Sequence, residues 1–258
     1  SFEDINKKSY CMIQPKKRVP ISVPTYLLGN APDKWDFKKD DFTIEDCCQA
    51  LGTRVNGKIV GSKGSMSVFS FQETKHITTL GEGGIIVTNN EEFAKKCQNI
   101  RNHGEYYKDD TTVGFNLRLT DAQAAFGLAQ LKRLPNILKT FRKNAKYIMK
   151  NLPEIISPPV IPKGIDHSFL ILGCKYDVKK AGITKDKFLE KLTKNRKKFL
   201  IKEQISDIKG LNFRPGKIIS SGYKTTQYNI PLYRKFRPKK KLINSENFLK
   251  TSFFLDIH

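Results

Sequence analysis

The sequence lacks several features that would place it in a specialised class of protein. It has no apolar run approaching the roughly 20 residues that cross a membrane as a helix. Its first ten residues, SFEDINKKSY, include acidic side chains and lack the apolar region of a signal peptide. The five cysteines form no C-x-x-C pair, which disfavours a disulfide framework and a zinc site. We therefore expect a cytoplasmic protein with no metal site and no membrane segment.

Acidic residues are scarce relative to basic ones. The chain has 25 acidic and 47 basic residues, which gives a formal net charge of +22. This charge raises nucleic acid as a partner. However, 37 of the basic residues are lysines and only 10 are arginines, whereas proteins that read nucleic acid usually use arginine for bidentate contacts. We predict a solvated basic surface, and nucleic acid is the least favoured partner.

Length and composition indicate a globular α/β protein. The chain has 258 residues, of which 38% are hydrophobic and 28% charged. The proline-rich stretch PEIISPPVIPKG separates two parts of different character. We predict a large domain over residues 1–152 and a smaller, more basic α+β domain over residues 153–258.

Local patterns predict the order of strands and helices. Strands are expected at 13–28, where prolines divide an apolar run, at Phe42–Ile44, and in the stretches SMSVFSF and GGIIVTN. Helices are expected in NEEFAKKCQNIRNHG, capped by Asn90, and in TKDKFLEKLTKN, capped by Thr184. A long helix begins at Thr120 or Asp121, and Pro135 is expected to interrupt it.

Asp46 and Lys75 are the first candidates for chemistry. Asp46 ends a predicted strand and Lys75 follows another by a few residues, so both are expected at the same edge of a sheet. An imine-forming lysine and a carboxylate for the ring nitrogen are the groups that a pyridoxal phosphate enzyme requires. Ser70 could bind the phosphate, and the glycines of GEGG allow a tight turn. The alternative is an ordinary turn in a lysine-rich chain.

Several motifs in order resemble the DegT/StrS family of sugar aminotransferases. The family pattern I-E-D-x-x-Q-A-x-G is similar to IEDCCQALG, and its S-F-x-x-x-K and T-T-G-E-G-G motifs are similar to SFQETK and TTLGEGG. RNHG and GFNLRLTDAQAAFGLAQLKRL resemble two later segments of the family. The likeness runs from about Val23 to Leu152 and is fragmentary beyond. It implies a fold type I architecture, with a mixed and mostly parallel sheet, and a homodimer.

The resemblance also implies a reaction and a set of site residues. The family usually transfers an amino group from glutamate to a keto group on a sugar linked to a nucleoside diphosphate, using pyridoxal 5'-phosphate. By resemblance, Lys75 forms the imine and moves the proton, and Asp46 pairs with the pyridine nitrogen. Gln49 lies against the ring, and Ser70 binds the phosphate. Asn116 is expected to reach the cofactor of the neighbouring subunit.

Other residues near these motifs have less definite interpretations. Arg118 lies in the same segment as Asn116, with no role assigned. A related branch of the family has histidine at the position of Lys75 and catalyses dehydration, so Lys75 favours transamination. His76 and His103 are interpreted as structural, and the adjacent cysteines 47 and 48 as packing residues.

Three departures from the family pattern leave a second function open. The family has a long stretch before the residue that is Ser1 here, which supplies a phosphate-binding loop and much of the sheet. Leu80 separates TT from GEGG, and the C-terminal part is weakly similar. The alternative to an aminotransferase is therefore a truncated, non-catalytic paralogue or a partner subunit of such an enzyme.

Overall fold

The computed structural model describes residues 21–32, 41–105, 112–199, 219–220 and 242–255, with no side chains for 193–199 and 219–220. These residues form two units. The first contains the described residues up to Lys143 together with Ile161–Leu170, and the second contains Asn144–Val160 and the described residues from Ile171 onward. The division predicted between residues 152 and 153 stays a prediction.

The described strands and helices have the following bounds. The strands are β1 (Ile21–Ser22), β2 (Phe42–Asp46), β3 (Arg54–Val55), β4 (Lys58–Ile59), β5 (Met66–Ser70), β6 (Gly84–Val87), β7 (Ile156–Ser157), β8 (Ile165–Asp166), β9 (Leu172–Tyr176), β10 (Ile219–Ser220) and β11 (Ser252–Leu255). The helices are α1 (Glu91–Arg101), α2 (Asp121–Lys150), α3 (Val178–Ala181), α4 (Lys185–Phe199) and α5 (Ile243–Thr251).

The main sheet of the first unit has the order β1-β2-β5-β6. Strands β1, β2 and β5 are parallel, and β6 is antiparallel to β5. The predicted strands in this region are confirmed, although Phe42–Ile44 extends to Asp46. Most of the strand predicted over 13–28 lies outside the described residues, and its described part contains only β1. The mixed, mostly parallel sheet confirms the α/β fold class.

A small hairpin occupies the connection from β2 to β5. Strands β3 and β4 pair antiparallel through a turn at Asn56 and Gly57, which both have left-handed φ angles of 49° and 80°. Asparagine and glycine tolerate this conformation, which matches the twist of a two-residue hairpin. Strand β8 extends the hairpin into a three-stranded sheet. The hairpin therefore returns the chain so that β5 runs parallel to β2.

Two predicted helix caps in the first unit are present. The Asn90 side chain accepts a hydrogen bond from Phe93 N (3.0 Å) at the start of α1. At the start of α2, the Thr120 hydroxyl accepts a hydrogen bond from Gln123 N (3.3 Å), and Gln123 Oε1 accepts one from Thr120 N (3.2 Å). This reciprocal arrangement is a capping box. Thr120, rather than Asp121, is thus the cap.

The predicted interruption at Pro135 is wrong, because α2 continues through it. A proline inside a helix loses one hydrogen bond and costs about 3 kcal/mol or more. Leu138 and Phe141, on the following turns, are buried. Burial of such side chains stabilises by about 1.5–3 kcal/mol each, which offsets the cost. Tertiary packing therefore overrides the local preference.

The second unit is an antiparallel sheet with helices, as the predicted α+β character implies. Its strand order is β10-β11-β9-β7. Helix α4 begins after Thr184, whose hydroxyl accepts from Lys187 N (3.4 Å), so this predicted cap is also present. The buried Lys185 amine donates to the carbonyls of Leu249 and Ser252. Burial lowers the pKa of Lys185.

Glu45 is a fully buried carboxylate in the middle of β2. Its Oε2 accepts hydrogen bonds from the Tyr26 hydroxyl (2.8 Å) and Gly61 N (2.9 Å). Its Oε1 accepts from the backbone N–H groups of Lys63 (2.7 Å) and Gly64 (2.6 Å). A buried charge is tolerated when it is hydrogen-bonded in this way. Three of the four bonds tie the chain that leads into β5 to β2, and the fourth ties Tyr26, which precedes β2, to the same carboxylate.

A second polar cluster joins α2 to β8. The Arg142 guanidinium pairs with Asp166 (2.9 Å), and its Nε donates to the carbonyl of His167 (3.0 Å). The ring of His167 is buried, and its Nδ1 accepts from Phe169 N (2.8 Å). Burial, together with the charges of His76 and Arg142, lowers the pKa of His167 to about 3. The ring of His167 is therefore uncharged in the folded protein at neutral pH.

The described residues contain neither a candidate membrane-spanning helix nor a cluster of metal-binding side chains. In the part of the chain that the structure describes, no helix is both long and apolar enough to span a membrane. The same residues contain no group of three or more histidine, cysteine, aspartate or glutamate side chains placed to hold a metal ion.

Replacing Glu45 with glutamine should destabilise the protein by about 2–4 kcal/mol, because the amide nitrogen would face donors that then lose their acceptor. Urea unfolding followed by circular dichroism measures the change. The matched control is Glu73→Gln, which alters an exposed glutamate and should leave the midpoint unchanged. Equal midpoints for the two variants would contradict the role of Glu45.

Acidification should weaken the fold through His167. Its pKa is about 3 in the folded state, against 6.5 ordinarily, so the unfolded chain binds the proton first as pH falls. The stabilisation is present above pH 6.5 and is lost toward pH 3, with a slope of up to about 1.4 kcal/mol per pH unit. In His167→Asn, whose side-chain oxygen can replace Nδ1, this part of the slope should disappear. Parallel stability curves for the two proteins between these pH values would refute this assignment.

Candidate functional site

Asp46 and Ser70 lie at the same edge of the main sheet. Asp46 is the last residue of β2 and pairs in register with Val68 of the parallel strand β5, two residues before Ser70. In open α/β sheets, ligands bind at the edge where the carboxyl ends of parallel strands meet. The structure thus brings together the two predicted residues that end strands.

Lys75 approaches the same edge through a short turn after β5. The Ser70 hydroxyl accepts from Gln72 N (3.3 Å), and Lys75 N donates to the Gln72 carbonyl (2.9 Å). Lys75 is half-buried, and its ammonium opposes the effects of burial and of Asp46, which together raise the pKa of the Cys48 thiol to about 12. Cys48 in turn donates its backbone N–H to Asp46 Oδ1 (3.1 Å). Lys75 thus follows the end of β5 by one short turn, and β5 lies beside the strand that ends at Asp46.

The glycine-rich loop after Lys75 folds back onto the end of β5. Phe71 N donates to the Gly83 carbonyl (2.8 Å), and Thr79 N donates to the Phe71 carbonyl (3.2 Å). A Cβ atom on Gly83 would lie 2.1 Å from Thr79 Oγ1, so this position requires glycine. Leu80, the residue that the family motif lacks, has a left-handed φ of 63° and is exposed. The loop therefore accommodates the extra residue at an exposed position with a left-handed backbone conformation.

Gln49 faces the turn at Leu27–Gly29. Its Oε1 accepts a hydrogen bond from Leu28 N (2.8 Å), so the amide NH₂ remains as a donor. Leu28 and Gly29 both have left-handed φ angles, of 62° and 94°. Gly29 is packed so closely that an added Cβ would lie 2.6 Å from the Ser168 hydroxyl. The side chain of Gln49 is therefore held in one orientation by a tightly packed turn.

Asn116 lies in a different environment from the other predicted site residues. It is exposed and forms an isolated bridge with Asn102, just after α1. Arg118 Nη1 donates to Asn102 Oδ1 (2.6 Å). Among the described residues, no hydrogen bond connects Asn116 with Asp46, Ser70 or Lys75. Its predicted role toward a neighbouring subunit stays a prediction.

One residue next to Asp46 has a role that sequence reasoning missed. Glu45 lies on the opposite side of β2 from Asp46 and holds the connection to β5. Cys48 is half-buried, its backbone N–H donates to Asp46 Oδ1 and its thiol donates to the Val68 carbonyl oxygen (3.9 Å), so its predicted packing role stays a prediction. A charged residue inside an apolar strand was the available signal for Glu45. No local signal distinguished Cys48 from Cys47.

His76, which follows Lys75, has a structural environment. Its ring is buried, lies 5.0 Å from the ring of Phe141 and has Nε2 at 3.0 Å from the Ser168 carbonyl oxygen. These contacts agree with the structural role predicted for it. They also anchor the chain immediately after Lys75, so the position of the lysine backbone depends on this ring.

Two curated enzymes are similar to this chain over most of its length. The chain is 35% identical over 200 residues to GDP-perosamine synthase of Vibrio cholerae, covering 71% of this chain and 52% of that protein. It is 36% identical over 184 residues to UDP-N-acetyl-3-dehydro-alpha-D-glucosamine 3-aminotransferase of Acidithiobacillus ferrooxidans, covering 65% and 49%. The chain thus spans about half the length of these relatives.

Solved structures and a family model agree with these relatives. Helicobacter pylori PseC, an aminotransferase of pseudaminic acid biosynthesis, matches with a TM-score of 0.72 and 26% identity, over 92% of this chain and 61% of that one. This likeness confirms the fold type I architecture. The family model matches residues 38–203, which include Asp46, Ser70 and Lys75. The chain belongs to the DegT/DnrJ/EryC1/StrS aminotransferase family.

Proposed function

We propose that the protein is a pyridoxal phosphate-dependent aminotransferase that moves an amino group from glutamate to a keto group on a nucleotide-linked sugar. The observation that supports the proposal is that Asp46 ends β2 beside the parallel strand β5, whose last residue is Ser70 and which Lys75 follows by one short turn. The relatives named above support the choice of substrate class, because their names specify GDP- and UDP-linked amino sugars.

The side chains at this edge fit the chemistry of pyridoxal phosphate. A carboxylate at the end of β2 matches a protonated ring nitrogen, and an amine nearby matches the aldehyde carbon. The Ser70 hydroxyl accepts from Gln72 N, so its own proton is available for a phosphate oxygen. The Gln49 Oε1 already accepts a hydrogen bond from Leu28 N, which orients the NH₂ group as a donor for a ring oxygen. Donors and acceptors therefore match the groups of the cofactor.

Each residue has a defined task in the proposed reaction. When bound, pyridoxal phosphate supplies an electron sink that stabilises negative charge on the carbon next to the reacting nitrogen. The Asp46 carboxylate holds the proton on the ring nitrogen by charge attraction. The Lys75 amine takes up and returns a proton at its Nζ, acting as a general base and acid. Ser70 and Gln49 orient the ring relative to that amine.

We further propose that the active form is a cytoplasmic homodimer. Exposed apolar side chains surround Asn116, the residue expected to reach a neighbouring subunit: Val113, Phe115 and Leu117 are 81%, 58% and 65% exposed. Apolar groups at this density are typical of a surface that a partner covers. A second copy would bury them and would bring Asn116 close to another cofactor site.

Replacing Lys75 with alanine should reduce amino transfer by about a thousandfold or more, because the proton-transferring amine is lost. Transfer of nitrogen from ¹⁵N-labelled glutamate to a panel of GDP- and UDP-linked keto-sugars, followed by mass spectrometry, measures the rate. The matched control is Lys139→Ala on α2, which removes an exposed lysine remote from the sequence motifs.

The two variants distinguish a specific effect of Lys75 from a general effect of removing a lysine. Full activity in Lys139→Ala together with loss in Lys75→Ala supports the assignment. Wild-type activity that persists in Lys75→Ala would contradict it. Absence of transfer by the wild-type protein with every keto-sugar of the panel would contradict the proposed substrate class.

A further inference from the structure

The turn at Leu27–Gly29 has a backbone conformation that depends on support from the residues around it. Leu28 has a left-handed φ of 62°, a conformation that residues with a bulky side chain rarely adopt. The same residue supplies the N–H that donates to Gln49 Oε1 at 2.8 Å. Gln49 is proposed above to orient the cofactor ring. The orientation of its amide therefore depends on the contacts that hold this turn in place.

Thr53 contacts the carbonyl group of the same turn. Its hydroxyl oxygen lies 2.7 Å from the carbonyl oxygen of Gly29 and 2.9 Å from the hydroxyl oxygen of Ser168. The carbonyl can only accept and is the nearer of the two, so we assign the single hydroxyl proton of Thr53 to it. The backbone N–H of Ser168 also donates to the Gly29 carbonyl, at 3.2 Å. The Thr53 hydroxyl is therefore the closer of these two donors.

The side chain of Thr53 extends from a fixed backbone. Thr53 is fully buried, its N–H donates to the Ala50 carbonyl (2.9 Å), and its own carbonyl accepts from Val60 N (3.0 Å). Thr53 follows Gln49 by four positions, so both side chains leave the same short segment after β2. One side chain accepts from an N–H of the turn, and the other donates to a carbonyl one residue later. Two side chains of one segment thus hold two polar groups of one turn.

We propose that Thr53 is a positioning residue, whose hydroxyl fixes the Leu27–Gly29 turn and thereby the orientation of the Gln49 amide. The inference rests on the proposed function, because Gln49 is the residue assigned to the cofactor ring. A valine at position 53 has a similar shape but no hydroxyl. The Gly29 carbonyl would then keep the longer bond from Ser168 N and lose the shorter one, so the turn would hold Gln49 less firmly. A serine restores the hydroxyl.

Hydrogen exchange of the cofactor-free protein tests the contact between Thr53 and the turn. The exchange rate of the Leu28 N–H is measured by NMR of the ¹⁵N-labelled protein. Thr53→Val should accelerate this exchange by about tenfold, because loss of one hydrogen bond makes local opening of the turn easier. Thr53→Ser should exchange at close to the wild-type rate. The matched control is Thr140→Val, which makes the same change at an exposed residue of α2 and should leave the rate at Leu28 unchanged.

The N–H of Cys47 reports on folding in each variant. It donates to the Val68 carbonyl (2.9 Å) in the interior of the first unit, so its exchange rate should be the same in all of these proteins. Equal acceleration at Leu28 and Cys47 in Thr53→Val would indicate a general loss of stability and would contradict a specific role. An unchanged rate at Leu28 in Thr53→Val would also overturn the inference.

A double-mutant cycle on cofactor binding tests whether Thr53 acts through Gln49. Titration of the absorbance band of bound pyridoxal phosphate gives the Kd. Thr53→Val should raise this Kd by about three- to tenfold, and Thr53→Ser should restore it. In a protein that already carries Gln49→Ala, Thr53→Val should change the Kd no further, because the amide that Thr53 positions is absent. Equal effects of Thr53→Val in the two backgrounds would indicate an independent structural contribution and would refute the positioning role.

The two experiments distinguish failure of this inference from failure of the proposed function. If the Leu28 N–H responds to Thr53→Val as expected but the wild-type protein binds no pyridoxal phosphate, the contact between Thr53 and the turn stands and the proposed function fails. If the cofactor binds and Thr53→Val has the wild-type Kd, the proposed function stands and the role of Thr53 is contradicted.

Discussion

The buried carboxylate of Glu45 is the interaction on which the candidate site depends. Three of its four hydrogen bonds hold the connection between β2 and β5 against the strand that ends at Asp46, and the fourth comes from Tyr26, which precedes β2. Without these bonds, the buried polar contacts of Glu45 would no longer stabilise the register in which Val68 lies opposite Asp46. Adjacent residues of one strand therefore have different tasks, since Glu45 stabilises the fold on one face and Asp46, on the other, is the residue proposed to bind the cofactor.

The strand register and a few short segments after β5 place the candidate site residues. The parallel arrangement brings Asp46 and Ser70 to one edge, and a short turn returns Lys75 to it. The glycine-rich loop closes behind the lysine through backbone hydrogen bonds, and the buried ring of His76 anchors the next residue. Chemistry at this edge thus relies on groups whose backbones are fixed by the sheet, which is the arrangement that precise positioning requires.

Much of this could be predicted from the sequence, because the relevant signals are local. Strand ends, the caps at Asn90 and Thr184, and the motif residues Asp46 and Lys75 are all encoded within short stretches. Features that depend on distant partners could not be predicted. The burial of Glu45 depends on donors 16 to 19 residues away, and helix α2 continues through Pro135 because side chains on later turns are buried.

The most direct test of the central claim is borohydride reduction of the protein after addition of pyridoxal phosphate, followed by peptide mapping. If the edge formed by β2 and β5 is the cofactor site, the reduced label is found on Lys75 and an absorbance band of the bound cofactor is present before reduction. Label distributed over exposed lysines, with no such band, would contradict the account and would show that this edge does not bind the cofactor.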